Sequence, residues 1–289
     1  MNAPIYCMPQ KYNISKEFIE KEYFENNKSQ DEIAKMLGIS QWVISQRMME
    51  FSLKPKENTR KLWQRKYFVD DNFFDELNPT NAWVLGWLAS DGYINENGNA
   101  LRFGMTIAKK DQDIIGKIKI LLKFNGKTYS RKTFLKKTGK EYEQVVLNIT
   151  SQKIVNRLKL FGLSKNKTES LSFPKLIKDA KNKEIMRAFI QGFFEGDGSL
   201  LFDEKHKSPC FQIVGTQEML LEIQTELINY VKLKKTKLTK YRRSKNHFAL
   251  RYRGRFQTMK IMDWIYSDTN NYLDRKYNKY LDIKRRLIS

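Results

Sequence analysis

Ten residues of this chain occur twice in nearly the same pattern, and a duplicated half constrains the fold more than any other feature. The first copy reads Trp83-Val84-Leu85-Gly86-Trp87-Leu88-Ala89-Ser90-Asp91-Gly92; the second reads Phe189-Ile190-Gln191-Gly192-Phe193-Phe194-Glu195-Gly196-Asp197-Gly198. They align without a gap. Behind each comes an extended segment ending in Phe103 to Ile107 or Phe211 to Gly215, then a helix over Asp111 to Leu122 or Glu218 to Val231. Two further strands follow, near Lys127 to Ser130 and Val145 to Ile149 in one half, and near Lys237 to Arg242 and His247 to Arg253 in the other. A helix closes each half, Gln152 to Leu160 or Phe256 to Ile265. The order is α-β-β-α-β-β-α twice, which predicts an α+β protein built as a pseudo-twofold tandem repeat over 78–174 and 175–289.

Inside each opening helix small residues stand four apart, Gly86 with Ser90 and Gly192 with Gly196. Positions i and i+4 share a helix face, so each helix carries a stripe without bulk along which two backbones can cross closely. An Asp and a Gly end each stripe, and the glycine is the residue a left-handed helix cap prefers. Two such helices packed about a pseudo-twofold axis bring Asp91 and Asp197 together. Neighbouring carboxylates repel, and divalent cations between them remove the conflict.

Lys and Arg total 54 against 32 Asp and Glu, a net charge of +22 that points to a polyanion, DNA or RNA. At 289 residues and 40% hydrophobic, the chain has length for about two domains and composition for a real core. Cys7 and Cys210 are too far apart in sequence for a zinc knuckle or redox pair, which suits a reducing compartment. His206 and His247 are the sole imidazoles, so multi-histidine metal chemistry is excluded. No apolar run reaches the ~18 residues of a membrane span, and the first residues lack a secretion signal, so a soluble, intracellular protein is expected.

Residues 1–53 read as a small all-α domain with three short helices between 15 and 51. Ser29 and Glu32 form a capping box, Ile33, Ala34 and Leu37 supply an apolar face, and Gly38 ends the helix. Ser40 is placed to cap the next helix, with Val43, Ile44 and Met48 inward. The spacing of Ala34, Gly38 and Ile44 resembles a helix-turn-helix: a small residue at the helix contact, a glycine turn, a branched residue seating the second helix. If the module reads DNA, Gln41, Ser45 and Gln46 face base edges and Arg47 a phosphate or guanine; Trp42 fits the core or the outer face equally. A helical subdomain that makes only internal or protein contacts stays open. Residues 54–77 read as a basic linker, where Lys54, Lys56, Arg60, Lys61, Arg65 and Lys66 suit backbone phosphates.

The paired segments Leu85 to Gly92 and Gln191 to Gly198 resemble the two motifs of single-chain LAGLIDADG homing endonucleases. The similarity covers about residues 73 to 289, including the aromatic lead-in Phe73-Phe74 and the segment Asn166 to Thr168. It implies two antiparallel four-stranded sheets forming a saddle over double-stranded DNA, with the motif helices at the central interface. It implies that Asp91 and Asp197 share two or three Mg²⁺ ions, with the backbone carbonyls of Ser90 and Gly196 as further ligands, for hydrolysis of one phosphodiester in each strand. Lys167 and Lys276 are implied as charge stabilisers or water-positioning groups, with Lys165 and Arg275 as substitutes. Ala89 and Glu195 depart from the family's common wording at positions that bind no metal.

Base readers belong on the strand faces: Asn95, Arg102, Tyr129, Arg131 and Gln144 in the first half, and Lys205, Gln212, Lys237, Lys240, Arg242, Arg251 and Arg253 in the second. Three functions compete. A site-specific homing-type DNA endonuclease, monomeric, with a helix-turn-helix that extends its footprint, uses every feature. A transcription regulator of related fold lacks the metal carboxylates, which this chain retains. An intron maturase binds intron RNA instead. The resemblance places the protein with a microbial, phage or organellar genome.

Overall fold

A computed structural model of the protein describes residues 14–55, 66–97, 100–135, 139–165, 170–240 and 246–288. It divides into two compact units, 1–64 and 65–289. In the smaller unit, α1 (Lys16–Ile19) runs on into a π-helical turn, Glu20–Glu25, followed by α2 (Gln30–Met36) and α3 (Gln41–Glu50). The capping box of Ser29 and Glu32 opens α2, each side chain bonding the other's backbone N–H, as the S-x-x-E spacing predicts. Gly38, at φ +65°, takes the left-handed turn that ends α2. Ile19, Tyr23, Ile33, Ala34, Ile44 and Met48 form this unit's core. Two expectations change. Leu37 sits at the cap of a seven-residue helix, where the chain already turns away, and is exposed; Ser40 stands at the N-cap of α3 but its hydroxyl caps nothing.

The larger unit begins earlier than the expected linker boundary at 77. Val69 and Phe74 are buried in its core, Asp70 N–H donates to Leu122 O, and the Arg157 guanidinium donates to the carbonyls of Phe74 and Asp75. The aromatic lead-in Phe73-Phe74 was legible in the sequence, but the apolar residues from Phe68 to Phe74 follow no helical or strand period, so which of them are buried is set by the core that receives them.

The first half comprises α4 (Pro79–Ser90), β1 (Gly92–Asn97), β2 (Ala100–Ala108), α5 (Asp113–Leu121), β3 (Tyr129–Leu135), β4 (Lys140–Thr150) and α6 (Gln152–Leu160). A short α7 (Lys175–Asp179) leads to the second half: α8 (Lys183–Asp197), β5 (Gly198–Asp203), β6 (Ser208–Gly215), α9 (Gln217–Val231), β7 (Thr239–Lys240), β8 (Phe248–Arg253) and α10 (Arg255–Ile265). The α-β-β-α-β-β-α order holds in both halves. A further helix, α11 (Asp274–Ile288), lies outside the repeat and buries Tyr280 and Ile283.

Both sheets are antiparallel and four-stranded, with strand orders β1-β2-β4-β3 and β5-β6-β8-β7. Side-chain alternation sorts their faces. Phe103, Met105 and Ile107 of β2 and Val145, Leu147 and Ile149 of β4 point into the core, as do Phe211, Ile213, Leu250 and Tyr252 in the second sheet. Helix α6 packs on β2, α9 on β8 and α10 on β6, leaving the opposite face of each sheet to solvent. Helices α4 and α8 differ from the rest: Asn81 to Ala89 and Ile185 to Glu195 are buried without a break. A helix buried all round belongs at the centre of a unit, and these two lie against each other.

Candidate active site

The crossing of α4 and α8 is made by glycine. A Cβ added at Gly86 would overlap Phe189 O and come within 2.7 Å of Phe193 N; one added at Gly192 would overlap Trp83 O and come within 3.1 Å of Trp87 N. These contacts are reciprocal between equivalent positions of the two motifs, which is the pseudo-twofold relation expressed in atoms. One turn on, a Cβ at Gly196 would overlap the Ser90 hydroxyl and come within 2.7 Å of Asp91 Oδ2. Asp91 therefore reaches across to the residue before Asp197, and the carboxylates stand at the same end of the crossed pair.

The glycine after each Asp works differently from the expectation of a left-handed cap. Gly198 is extended (φ −96°, ψ 169°), and Gly92 opens β1. Their missing Cβ atoms make room for the preceding turn: a Cβ would overlap Leu88 O at Gly92, and would come within 2.5 Å of Phe194 O at Gly198. Helix thus passes to strand at once, with Asp91 capping α4 and Asp197 as the last residue of α8.

Behind this junction lies a buried carboxylate. Glu195 Oε2 accepts from the indole N–H of Trp83 (2.8 Å) and of Trp87 (3.2 Å), and Oε1 accepts from Gln191 Nε2 (3.2 Å). One acidic side chain on α8 thereby ties two turns of α4. Burial pushes its carboxyl up to about 7 against these stabilising hydrogen bonds. In sequence Glu195 is only a departure from the motif's wording; that two tryptophans of the other copy meet it shows only in the fold.

A pH prediction follows from its sign. The raised value means the folded chain takes up a proton that the unfolded chain releases, so this stability is fully present below about pH 4.5 and is lost as pH rises through about 7. Glu195→Gln keeps an acceptor for the indoles and cannot ionise. Thermal unfolding at pH 5 and 7.5 is expected to show the wild type losing about 2 kcal/mol more than the variant between the two. Parallel behaviour would mean that Glu195 titrates as an ordinary carboxylate.

Lys276, on α11, is buried, and its ammonium donates to the carbonyls of Phe194 (2.9 Å), Glu195 (2.5 Å) and Gly198 (2.6 Å), with Gly196 O at 3.4 Å. It satisfies the open carbonyls at the end of α8, where a cation also meets the helix dipole. Burial draws its pKa down to about 8, with the charge of Arg275 adding to the effect. Arg275 itself is held by both oxygens of Asp111 (2.7 and 2.9 Å). Lys165 is exposed in a turn. Lys167, Lys61 and Arg242 lie outside the described residues.

The donor set suits a hard cation. Among the described residues no three of His, Cys, Asp and Glu gather, and the end of each motif helix carries one carboxylate, Asp91 or Asp197. Oxygen donors this few match Mg²⁺, which keeps several waters and takes one or two carboxylates. They do not match zinc.

The sheet registers place most expected base readers on the outer faces. Asn95 stands opposite Arg102, and Arg131 opposite Gln144, with Tyr129 on the same face; Gln212 stands opposite Arg251, and Cys210 opposite Arg253. Lys240 is different: it pairs with Phe248, on the side that carries Leu250, so alternation turns it away from the outer face. Lys205 lies in the exposed turn between β5 and β6. Lys237 joins Lys234, Lys235, Arg251 and Arg253 around a cleft of about 490 Å³.

On α3, Gln41 is exposed, Ser45 and Gln46 are half-buried, and Trp42 is 56% exposed, which settles it as an outer residue. Arg47 pairs with Glu50 (2.8 Å) inside the helix. Residues 14–53 carry five Lys and Arg against seven Asp and Glu, so the positive excess of the chain lies elsewhere. No described helix is long and apolar enough to cross a membrane.

No protein-family model and no curated protein sequence matches the chain. Solved structures do. The LAGLIDADG homing endonuclease I-SmaMI, bound to cleaved DNA, is 16% identical over 73% of this chain and 88% of its own, with a TM-score of 0.45. I-LtrWI, bound to target DNA, is 12% identical over 75% and 90%, with a TM-score of 0.46. The LAGLIDADG meganuclease I-CpaMI, bound to uncleaved DNA, is 15% identical over 73% and 90%, also at 0.46.

Proposed function

We propose that the chain is a LAGLIDADG-type, site-specific DNA endonuclease that makes a double-strand break, one strand at each motif carboxylate. The reciprocal glycine crossing carries this reading, because it presents two equivalent carboxylates at one end of a crossed helix pair, each leading directly into a sheet that carries an arginine–glutamine pair on its outer face. Asp91 and Asp197 would hold Mg²⁺, with the carbonyls of Ser90 and Gly196 as neighbouring donors. When bound, such ions supply positive charge to a scissile phosphate and make water acidic enough to act as a nucleophile. The chain's own part is placement. Glu195 and the two indoles hold the helix crossing, Lys276 holds the end of α8 against β5, and the outer strand residues bind and orient the duplex.

Selection of cleaved sites from a randomised DNA library in Mg²⁺ tests the proposal. One cleaved consensus family is expected; a library that stays uncut in both Mg²⁺ and Mn²⁺ overturns it. Binding of an intron RNA without DNA cutting would favour the maturase reading instead.

The helical unit and the basic segment after it extend the contact on one flank in this proposal. A variant starting at Tyr67 retains Val69 and Phe74 and hence the whole larger core. Cutting should survive in it while affinity falls, since one of two tethered binding units is gone. For the full chain, neutralising ~10 phosphates gives a log–log salt slope near −9. Because residues 14–53 hold more acid than base, the slope removed by truncation should come from Lys54 to Lys66, a change of about 3 to 5. Footprints of both forms on one target, with salt titrations, check this; an unchanged footprint makes the first unit a packing or partner-binding element.

A further inference from the structure

We infer that two hydrogen-bonded side-chain pairs on the outer sheet faces, Arg131 with Gln144 and Arg251 with Gln212, each read one guanine of the target, the arginine touching the base and the glutamine orienting the arginine. The inference rests on the proposal that these faces meet a DNA major groove. Each pair is directly cross-strand in its register, and in each the arginine Nε donates to the glutamine Oε1, at 3.0 Å in the first and 2.6 Å in the second. In the first pair the hydroxyl of Thr133 donates to the same oxygen at 3.0 Å.

These bonds decide which base edge fits. A glutamine reads adenine bidentately by accepting from N6 while donating to N7, so its carbonyl oxygen must be free. In both pairs that oxygen already has a donor, and in the first it has two. The first pair, with both lone pairs of that oxygen taken, still offers donors alone, the two Nη groups at the end of the guanidinium and the amide NH₂; the second offers the same donors and one remaining lone pair on Gln212 Oε1, held beside the guanidinium. Guanine presents two acceptors in the major groove, N7 and O6, whereas adenine and cytosine each place a donor there. Holding Nε also fixes the plane of the fork before DNA arrives, so less side-chain freedom is lost on binding.

Neither guanidinium has an acidic partner among the described residues, unlike Arg275 on Asp111 or Arg286 on Glu204. The second pair bridges β6 and β8, the two inner strands of its sheet; the first bridges β4 and the edge strand β3. The pairs are thus not equivalent positions of the repeat, and the two guanines are not related by the motif axis. Arg253, two residues along β8, lines the same cleft as Arg251, with Lys234, Lys235 and Lys237, but no glutamine stands opposite it: its register partner is Cys210.

Selection of bound DNA from a randomised library, run without a cleaving metal, tests the pairs independently of catalysis. The wild type should select guanine at one position per pair, and Arg251→Ala should reduce that preference from tenfold or more to about onefold at one position. Gln212→Ala should relax the same position, and Gln212→Glu, which keeps an acceptor for Nε, should retain guanine. Arg131→Ala, Gln144→Ala and Gln144→Glu should behave likewise at the other position. Relaxation of different positions by the arginine and glutamine variants, a sequence-independent loss with Arg→Ala, or no base preference in the wild type overturns the inference. Selective binding without cleavage in Mg²⁺ would overturn the endonuclease proposal and leave the pairs standing.

Discussion

Asp91→Asn and Asp197→Asn should each abolish linearisation of a target plasmid while leaving DNA binding intact. Each substitution removes one carboxylate from the motif end and hardly changes volume. Losing several kcal/mol of charge stabilisation at a scissile phosphate slows that step by at least about 100-fold. Affinity should hold or rise, because a negative charge beside the DNA backbone has gone. Fold should hold as well, since Asp91 caps α4 through its backbone N–H to Trp87 O (3.0 Å), a bond that asparagine keeps. Time courses of supercoiled, nicked and linear plasmid, with a binding isotherm for each variant, provide the check. Wild-type linearisation by either variant would remove the carboxylates from the reaction.

Gly192→Ala should be among the most destabilising single-methyl changes available in the chain. The added carbon overlaps a backbone carbonyl, Trp83 O, which cannot rotate aside as a side chain can. Either α4 and α8 separate or the helix bends, and both open the buried crossing that positions the carboxylates. Overpacking costs about 1–3 kcal/mol where side chains can yield, so a loss of at least about 3 kcal/mol is expected, or roughly 6–12 °C in Tm for a unit of this size. Gly116→Ala is the control. It makes the same change in the exposed middle of α5, where nothing lies within 4 Å, and should raise stability by about 0.5–1 kcal/mol. Equal Tm values for the two variants would mean that the crossing is loose.

The sites of these two predictions differ in how openly the sequence displayed them. Both Asp positions and all four small residues stood in the repeated segment, because close helix crossing demands absent side chains and absence is visible in a sequence. Glu195 was visible only as an odd letter. Its role depends on indoles from a helix more than one hundred positions away, and no local pattern reports which buried donors will meet a buried acid. Lys276 was picked for its place after the last helix of its half, but its four carbonyl contacts arise from α11, which the repeat pattern did not contain.

On the sheets, period-two alternation was enough to put Asn95, Arg102, Arg131 and Gln144 on one face, since every strand reverses its side chains residue by residue. It misplaced Lys240, because the strand expected over Lys237 to Arg242 is assigned only at Thr239–Lys240 and its phase is set by pairing with β8. In the first unit the capping box and the Gly38 turn were local and legible, whereas the exposure of Leu37 was not, since it depends on where a neighbouring helix ends.

The duplicated architecture, the close helix crossing, the two carboxylates and the excess of positive charge could all be read from the chain, because they rest on short-range pattern and composition. The groups those carboxylates lie among, the start of the larger unit and the arginines already bonded to a glutamine emerge only once the chain is folded. Those depend on contacts between residues far apart in the chain. Such contacts are chosen by shape and hydrogen-bond satisfaction in a packed interior, where a buried acid or ammonium must find partners wherever the fold supplies them.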